Sequence, residues 1–293
     1  MKVAIIGYGV EGKSALEYWR AQGHQMCIHD ANAELRLPRD TESHLGPDYL
    51  QGLDRYDLIV RSPGVRPQLI LKANPGLNPT QITSGTNEFL ANCTAKVIGV
   101  TGTKGKGTTT TLITRMLQAA GHTAHLGGNI GHPALDLLDK VNPEDWVVLE
   151  LSSFQLIDIR YSPHVAVMLT ISPDHLNWHP DMHEYLAGKQ NIFAHQGSGD
   201  RAIYNACNLY SLQSGLAAPA EQIPYNATEG GWVDETNVKI GDTVICKTED
   251  IALPGRHNWD NVSAAVTAVW PIIQDAKPIK QAILTFTGLE HRL

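Results

Sequence analysis

Cysteine is scarce. The chain carries four, Cys27, Cys93, Cys207 and Cys246, with no close pair and no metal-type spacing. That excludes a disulfide framework and a zinc module, and reduced thiols in the cytoplasm are the expectation. A basic excess is also missing. The net charge is −7 over 293 residues, whereas a nucleic-acid footprint shows as surplus lysine and arginine, so no nucleic-acid partner is expected. A few local lysines can still hold a small anion. Long hydrophobic runs are absent: the longest, residues 165–171, is far too short to span a bilayer, so no membrane partner is expected. Met1-Lys2 leads straight into a strand pattern, with no signal peptide. Internal repeats and low-complexity tracts are lacking too. The remaining composition, 42% hydrophobic and 18% charged, is that of a soluble globular protein. Its length predicts two domains, each with its own core.

One stretch organises the rest: Gly99-Val-Thr-Gly-Thr-Lys-Gly-Lys-Gly-Thr-Thr-Thr-Thr111. An apolar strand precedes it and a helical segment, 109–120, follows. Strand, glycine loop and helix together cradle phosphate, because backbone N–H groups converge on an anion at a helix N-terminus. Lys106 would add a full charge for the outer phosphates. The generic nucleotide loop wants Gly six residues before the lysine and Ser or Thr just after it. Val100 and Gly107 stand there instead.

A second glycine loop lies at the start. Residues 2–6 read as a buried strand, followed by Gly7-Tyr-Gly-Val-Glu-Gly12, a helix over 13–22 and a strand over 26–30. This is the G-x-G-x-x-G fingerprint, with the acid Asp30 placed 18 residues after the last glycine. Physically it is a first βα turn able to hold a diphosphate, with a carboxylate near a ribose or base. By itself it leaves a nicotinamide-dependent oxidoreductase open. A further strand, 57–60, ends in the loop Arg61-Ser-Pro-Gly-Val65. Ligands bind at strand carboxyl ends in such sheets, so Ser62, Pro63 and Gly64 are candidate contacts. A helix is expected over 86–91 and a domain boundary near 92–95.

The second half carries more chemistry. Glu150 lies near the end of the buried strand 146–151. A carboxylate there is costly unless paired or bound to a cation, which makes it a Mg²⁺ ligand candidate beside a phosphate loop. The strand 165–171 ends in Ser172-Pro-Asp-His-Leu-Asn-Trp-His179, a polar run that reads as a site. A helix follows over 181–195, with Lys189 inside it. Residues 201–205 form a short strand, and 211–247 read as short strands and turns. A helix opens over 259–270, and Asn258 and Asn261, three apart at its start, share one helical face. Residues 279–286 are the last helix.

Taken together, six stretches resemble the Mur ligases of bacterial cell-wall synthesis, and within them the D-glutamate-adding branch. They are the loop 99–106, Gly127-Gly-Asn-Ile-Gly131, Leu149-Glu-Leu-Ser-Ser-Phe-Gln-Leu156, Asp174-His175, Pro254-Gly-Arg-His-Asn258 with Asn261, and Gly288-Leu-Glu-His-Arg292. The resemblance implies an α/β chain: a Rossmann-like parallel-sheet domain binding the UDP substrate (1–93), then a P-loop-type ATPase domain (94–287). Residues 288–293 would be the stub of a third domain that binds D-glutamate, so the chain alone is expected to ligate poorly.

The implied reaction is ATP-dependent amide formation between the L-alanine carboxylate of UDP-MurNAc-L-Ala and the amine of D-glutamate, through an acyl phosphate. The implied cofactors are ATP and Mg²⁺. By that resemblance Gly102, Thr103, Lys104, Gly105, Lys106, Gly107 and Thr108 hold phosphates. Asn258, Asn261 and Arg292 contact the nucleotide. Glu150, His175 and a carbamoylated Lys189 hold the metal, and these three with Lys106 form the catalytic set. Lys189 stands 14 residues after His175, as in the family pattern. Gly9, Val10 and Glu11 would face the UDP diphosphate, Asp30 and Ser62–Gly64 the uridine, and Asn129 and Ser152 the substrate and phosphates. A monomer is expected. Gly107 departs from the family, whose Ser or Thr there is a Mg²⁺ ligand. Cys207, where relatives more often carry an acid, receives no role. A non-catalytic nucleotide-binding protein descended from a ligase stays open, supported by Gly107. A folate-adding ligase would share the second-domain motifs but not the N-terminal domain.

Overall fold

The structure is a computed structural model that describes residues 1–39, 41–175 and 177–289. The chain packs as two units, Met1–Asn92 with Pro133–Lys140, and Cys93–His132 with Val141–Leu293. Among the described residues no helix is long and apolar enough to cross a membrane.

The first unit is built on β1 (Lys2–Ile6), β2 (Gln25–Asp30), β3 (Glu42–Leu45), β4 (Leu58–Arg61) and β5 (Ile82–Ser84), with α1 (Val10–Ala21), α2 (Pro67–Ala73) and α3 (Gly85–Asn92). The strands are parallel in the order β3-β2-β1-β4-β5. Strand order reverses at β1, so the β1 and β4 loops flank the point where a crevice forms. The apolar β1 is buried from Val3 onward, and α1 turns Ala15, Leu16 and Trp19 inward, as its spacing predicts. Helix α1 starts at Val10 rather than Lys13 because Gly9 serves as its N-cap. Residues Ala134–Lys140 form a short 3₁₀ helix that packs in this unit. Asp136 accepts the Ser14 hydroxyl at 2.5 Å, and Leu135 lies against Gly85. The sequence reading put this segment in the second domain.

The second unit holds β6 (Lys96–Thr101), β7 (Ala124–Gly128), β8 (Trp146–Glu150), β9 (Val165–Met168), β10 (Arg201–Asn205) and β11 (Glu221–Tyr225). They form one parallel sheet in the order β11-β10-β9-β6-β8-β7. Its helices are α4 (Lys106–Ala119), α5 (Ser153–Leu156), α6 (Met182–Ala194), α7 (Leu209–Leu216), α8 (His257–Ile273) and α9 (Ala276–Leu284). A small antiparallel sheet, β12 (Gly231–Val233), β13 (Asn237–Ile240) and β14 (Thr243–Lys247), packs its Val238, Ile240, Ile245 and Cys246 into the same core as α8 and α9. Two differences from the sequence reading bear on function. Helix α4 begins at Lys106, not Thr109, so Lys106 and Gly107 are its first turn. Helix α7 and strand β11 were not foreseen.

Candidate active site

The phosphate loop sits at the carboxyl end of β6, a strand with neighbours on both sides. Its glycines are required by contact. Gly102 has φ +155° and a Cβ there would stand 2.6 Å from Leu169 Cβ; Gly105 has φ +85° and a Cβ would collide with Asn261 Oδ1. Lys106 Nζ donates to the Gly102 and Thr103 carbonyls at 3.0 and 3.1 Å. Thr103 Oγ1 donates to the Ser172 carbonyl at 3.0 Å, accepts the Ser172 N–H at 3.0 Å, and hydrogen-bonds the Tyr185 hydroxyl at 2.9 Å. From α8, Asn261 Oδ1 accepts from Thr109 at 3.4 Å, and Asn261 Nδ2 donates to Asn258 Oδ1 at 3.0 Å. Asn258 in turn donates to the Pro254 carbonyl at 2.7 Å. A cleft of about 510 Å³ opens beside the loop, lined by Thr103, Lys104 and Gly105 at one part and by Tyr225, His257 and Asp260 at another.

Glu150, at the end of β8, is 1% exposed. Its Oε1 accepts from Asn129 Nδ2 at 2.9 Å, while Oε2, also buried, has no hydrogen-bond partner among the described residues. An orphaned carboxylate oxygen in a core is expensive, and a cation is the usual resolution. Gly107 faces it: a Cβ at 107 would stand 3.1 Å from Glu150 Oε2, 2.9 Å from Leu289 Cδ1 and 3.2 Å from Ile130 Cδ1.

Lys189 is the second buried charge, 2% exposed on the inner face of α6. Its Nζ donates to the Gly102 carbonyl at 2.9 Å and Thr101 Oγ1 at 3.5 Å, and lies 4.8 Å from the Tyr185 ring centre. Burial lowers its pKa to about 7, helped by the charge of Lys106; Asp174 and Glu150 pull the other way. Near neutrality this amine is substantially uncharged.

In the first unit, Gly7 turns the chain with φ +84°, and a Cβ at Gly12 would strike the Gly7 carbonyl oxygen. Asp30 Oδ2 accepts the Tyr8 N–H at 2.8 Å, and Ser62 Oγ donates to the Gly7 carbonyl at 2.6 Å. The acid and the serine therefore brace the loop across the β1–β2 and β1–β4 neighbours. Gly9 caps α1 with no side-chain hydrogen bond, and Val10 is exposed.

Residues 100–269 match the Mur ligase middle domain, and residues 1–75 match the Mur ligase MurD-like N-terminal domain. The chain belongs to the Mur ligase family. The N-terminal match covers the G-x-G-x-x-G fingerprint, which is thus a Mur ligase feature and not a nicotinamide domain. The UDP-N-acetylmuramoylalanine–D-glutamate ligase of Acetivibrio thermocellus is 35% identical over the whole chain and 66% of that protein. The same enzyme of Ruminiclostridium cellulolyticum is 36% identical, again over 66% of its length. The chain thus spans just under two thirds of these relatives. Among solved structures, UDP-N-acetylmuramate:L-alanyl-gamma-D-glutamyl-meso-diaminopimelate ligase of Neisseria meningitides superposes with a TM-score of 0.65 at 16% identity, covering 99% of each chain. MurF of Acinetobacter baumannii gives 0.60 at 17% identity, covering all of this chain and 64% of that one. At such identity these two establish the α/β fold.

Within this Mur ligase frame, the structure brings Lys106, Glu150's neighbour Gly107, Lys189 and the Asn258–Asn261 pair to one loop. Asn129 orients Glu150 rather than standing free. Ser152 caps α5, accepting the Gln155 N–H at 3.3 Å. His175 is half-exposed, with φ +53°, its Nε2 3.7 Å from Asp174 Oδ2 and its ring 5.0 Å from Phe154. Among the described residues no group of three or more His, Cys, Asp or Glu is disposed to hold a metal; any such set here needs Lys189. Arg292 lies outside the described residues. Sequence reasoning missed Tyr185, which sits four residues before Lys189 on the same helix face, a spacing that could have revealed it.

Proposed function

We propose that the chain carries the UDP-substrate and ATP sites of a D-glutamate-adding ligase acting in the cytoplasm. The carrying observation is Glu150 Oε2, a buried, unpartnered carboxylate oxygen facing the first turn after a phosphate loop. In this reading the carboxylate of UDP-MurNAc-L-Ala attacks the γ-phosphorus of ATP. An acyl phosphate forms and ADP leaves. The D-glutamate amine then attacks the acyl carbon, the C–O bond to phosphate breaks, and the amide remains.

The loop N–H groups and Lys106 hold the phosphates in line, which is most of what phosphoryl transfer asks of a protein. Glu150 and Lys189, with His175, would hold Mg²⁺, which when bound neutralises charge building on the phosphate oxygens. The low pKa of Lys189 supports its carbamoylation. The neutral amine adds to CO₂, a C–N bond forms, and the displaced proton goes to solvent, leaving an anion where a cation stood. The first-unit loop, braced by Asp30 and Ser62, would hold the UDP diphosphate on the α1 N-terminus.

Calorimetric titration tests this. Mg²⁺-ATP and UDP-MurNAc-L-Ala should each bind, and NADH should not. Absence of ATP binding, or tight NADH binding, defeats the reading. Gly107 favours a second reading, nucleotide binding without ligation, since the position offers no hydroxyl and Ile130 and Leu289 crowd it. ATP binding that never leads to ADP when both other substrates are present would select it.

A further inference from the structure

Lys189 can act only if it is held in place, and its amine is hydrogen-bonded to Thr101 and the Gly102 carbonyl. Besides Asn191, which donates to the Leu156 and Ile157 carbonyls, a relay outside the residues assigned so far bonds its helix to α5. His179 is fully enclosed. Its Nε2 lies 2.9 Å from Ser153 Oγ on α5, and its Nδ1 lies 3.1 Å from Glu184 Oε1 in the first turn of α6. A carboxylate against Nδ1 fixes the proton there, so Nε2 accepts the serine hydroxyl. The ring is walled by Phe154, Trp178 and Tyr185, with centroids 5.7, 4.6 and 5.3 Å away.

Serine, histidine and glutamate in this order suggest a nucleophile. Ser153, however, is only 2% exposed, so no substrate reaches it. The relay serves position instead. It ties α5 to α6 by two directional bonds, where the elements pack at Gly188. A Cβ there would stand 3.5 Å from the Ser153 carbonyl oxygen and 3.8 Å from His179 Cε1. The next residue after Glu184 is Tyr185, bonded to Thr103 of the loop; one turn later is Lys189, bonded to the Gly102 carbonyl.

We propose that His179 is a positioning residue: by joining Ser153 to Glu184 it locks α6 so that Tyr185 and Lys189 clamp the phosphate loop. This rests on the nucleotide-site reading above, and the test separates the two. Two measurements are made on the 293-residue chain: hydrogen exchange of the 101–105 segment without ligand, and ATP affinity. His179→Phe keeps the ring's bulk and removes both bonds. It should speed exchange of that segment and weaken ATP binding on the order of tenfold, the usual scale for a residue that orients another. His179→Gln can still accept from Ser153 and donate to Glu184, and should restore both readouts to within about twofold.

His179→Phe with wild-type loop exchange and affinity overturns the proposal, as does a Gln variant no better than Phe, which would mean the ring only fills space. If wild type fails to bind ATP, the nucleotide reading falls and the exchange arm still judges His179. If the Phe variant does not fold, Ser153→Ala and Glu184→Ala each remove one arm of the relay, and both should loosen the loop.

Discussion

The chain contains two glycine loops of nearly the same design. Each follows the edge of a strand with neighbours on both sides and runs into a helix: β1 into α1, and β6 into α4. Their surroundings differ. The first is braced by Asp30 and Ser62 through backbone bonds, and its helix starts with Val10 and Glu11. The second draws Lys106 and the buried Lys189 onto its own carbonyls, and a buried Glu150 faces Gly107 in the first turn of α4. Loop geometry alone therefore reports an anion. The buried charges report whether that anion is a handle to be gripped or a group to be transferred.

The largest effects should come from breaking each loop in turn. Gly12→Ala drives a methyl into the Gly7 carbonyl oxygen, and Gly105→Ala drives one into Asn261 while forcing alanine into φ +85°. Each should destabilise its own unit by about 3 kcal/mol or more. Denaturation followed by hydrogen exchange should show the loss confined to the first unit, residues 1–92 and 133–140, for Gly12→Ala and to the second unit for Gly105→Ala. A uniform loss in both would mean the loops are not independent.

Titration separates the units differently. Burial holds the His29 pKa down to about 4, between Tyr49's carbonyl at 2.7 Å and Tyr56's hydroxyl at 2.9 Å. An unfolded His29 binds its proton from pH 6.5 downward and the folded one does not, so first-unit stability falls as pH drops from 6.5 to about 4. Lys189 is depressed from 10.5 to about 7. In that window the unfolded chain binds the extra proton, so second-unit stability rises with pH from about 7 upward. The His29 term amounts to about 3 kcal/mol between pH 6.5 and about 4, and the Lys189 term to about 5 kcal/mol between about 7 and 10.5. Melting curves in CO₂-free buffer should lose the acid slope in His29→Gln and the alkaline slope in Lys189→Met. A Lys189→Met variant that keeps the alkaline slope assigns it elsewhere.

Lys106→Ala should cost about 100-fold in ATP affinity, near 3 kcal/mol for a phosphate-bound cation. UDP-MurNAc-L-Ala affinity should not change. Equal losses for both ligands would erase the distinction between the loops.

Much of this was legible because it is local. Strand, glycines and helix start lie within a dozen residues at each loop, so Gly7, Gly12, Gly102, Gly105 and Lys106 announce themselves. Glu150 stood out as an acid in an apolar strand. What was hidden depends on contacts far apart in sequence. Thr103 meets Tyr185 across 82 residues and Ser153 meets His179 across 26. Helix α7 escaped because Ser211, Ser214 and Gly215 are buried where periodicity expects apolar residues; Gly215 is there because a Cβ would strike Tyr204. Pro224 disguised β11, a strand at the sheet edge where a missing N–H is tolerated. Residues Pro133–Lys140 belong to the first unit through side chains that no local pattern marks.

The smallest effect is the sharpest test of what distinguishes the second loop. Gly107→Ser sets a hydroxyl near Glu150 Oε2, the oxygen without a partner. Three terms compete. Serine gains about 0.5 kcal/mol of helix propensity over glycine. Crowding against Leu289 and Ile130 opposes it, though both contacts are side-chain ends that can give by a few tenths of an ångström. The hydroxyl itself adds a bond to a buried charge, about 1 kcal/mol net. Gly107→Ala shares the crowding, lacks the hydroxyl and gains about 1 kcal/mol of propensity, roughly 0.5 more than serine, so that known difference is subtracted to isolate the hydroxyl. Serine should exceed alanine by about 0.5 kcal/mol in stability and by a few-fold in Mg²⁺-ATP affinity. If serine instead falls about 0.5 kcal/mol below alanine, Glu150 Oε2 does not reach position 107. If the two match in affinity alone, the cation is held without any group from that turn, and Glu150 and Lys189, with His175, are the protein's grip on it.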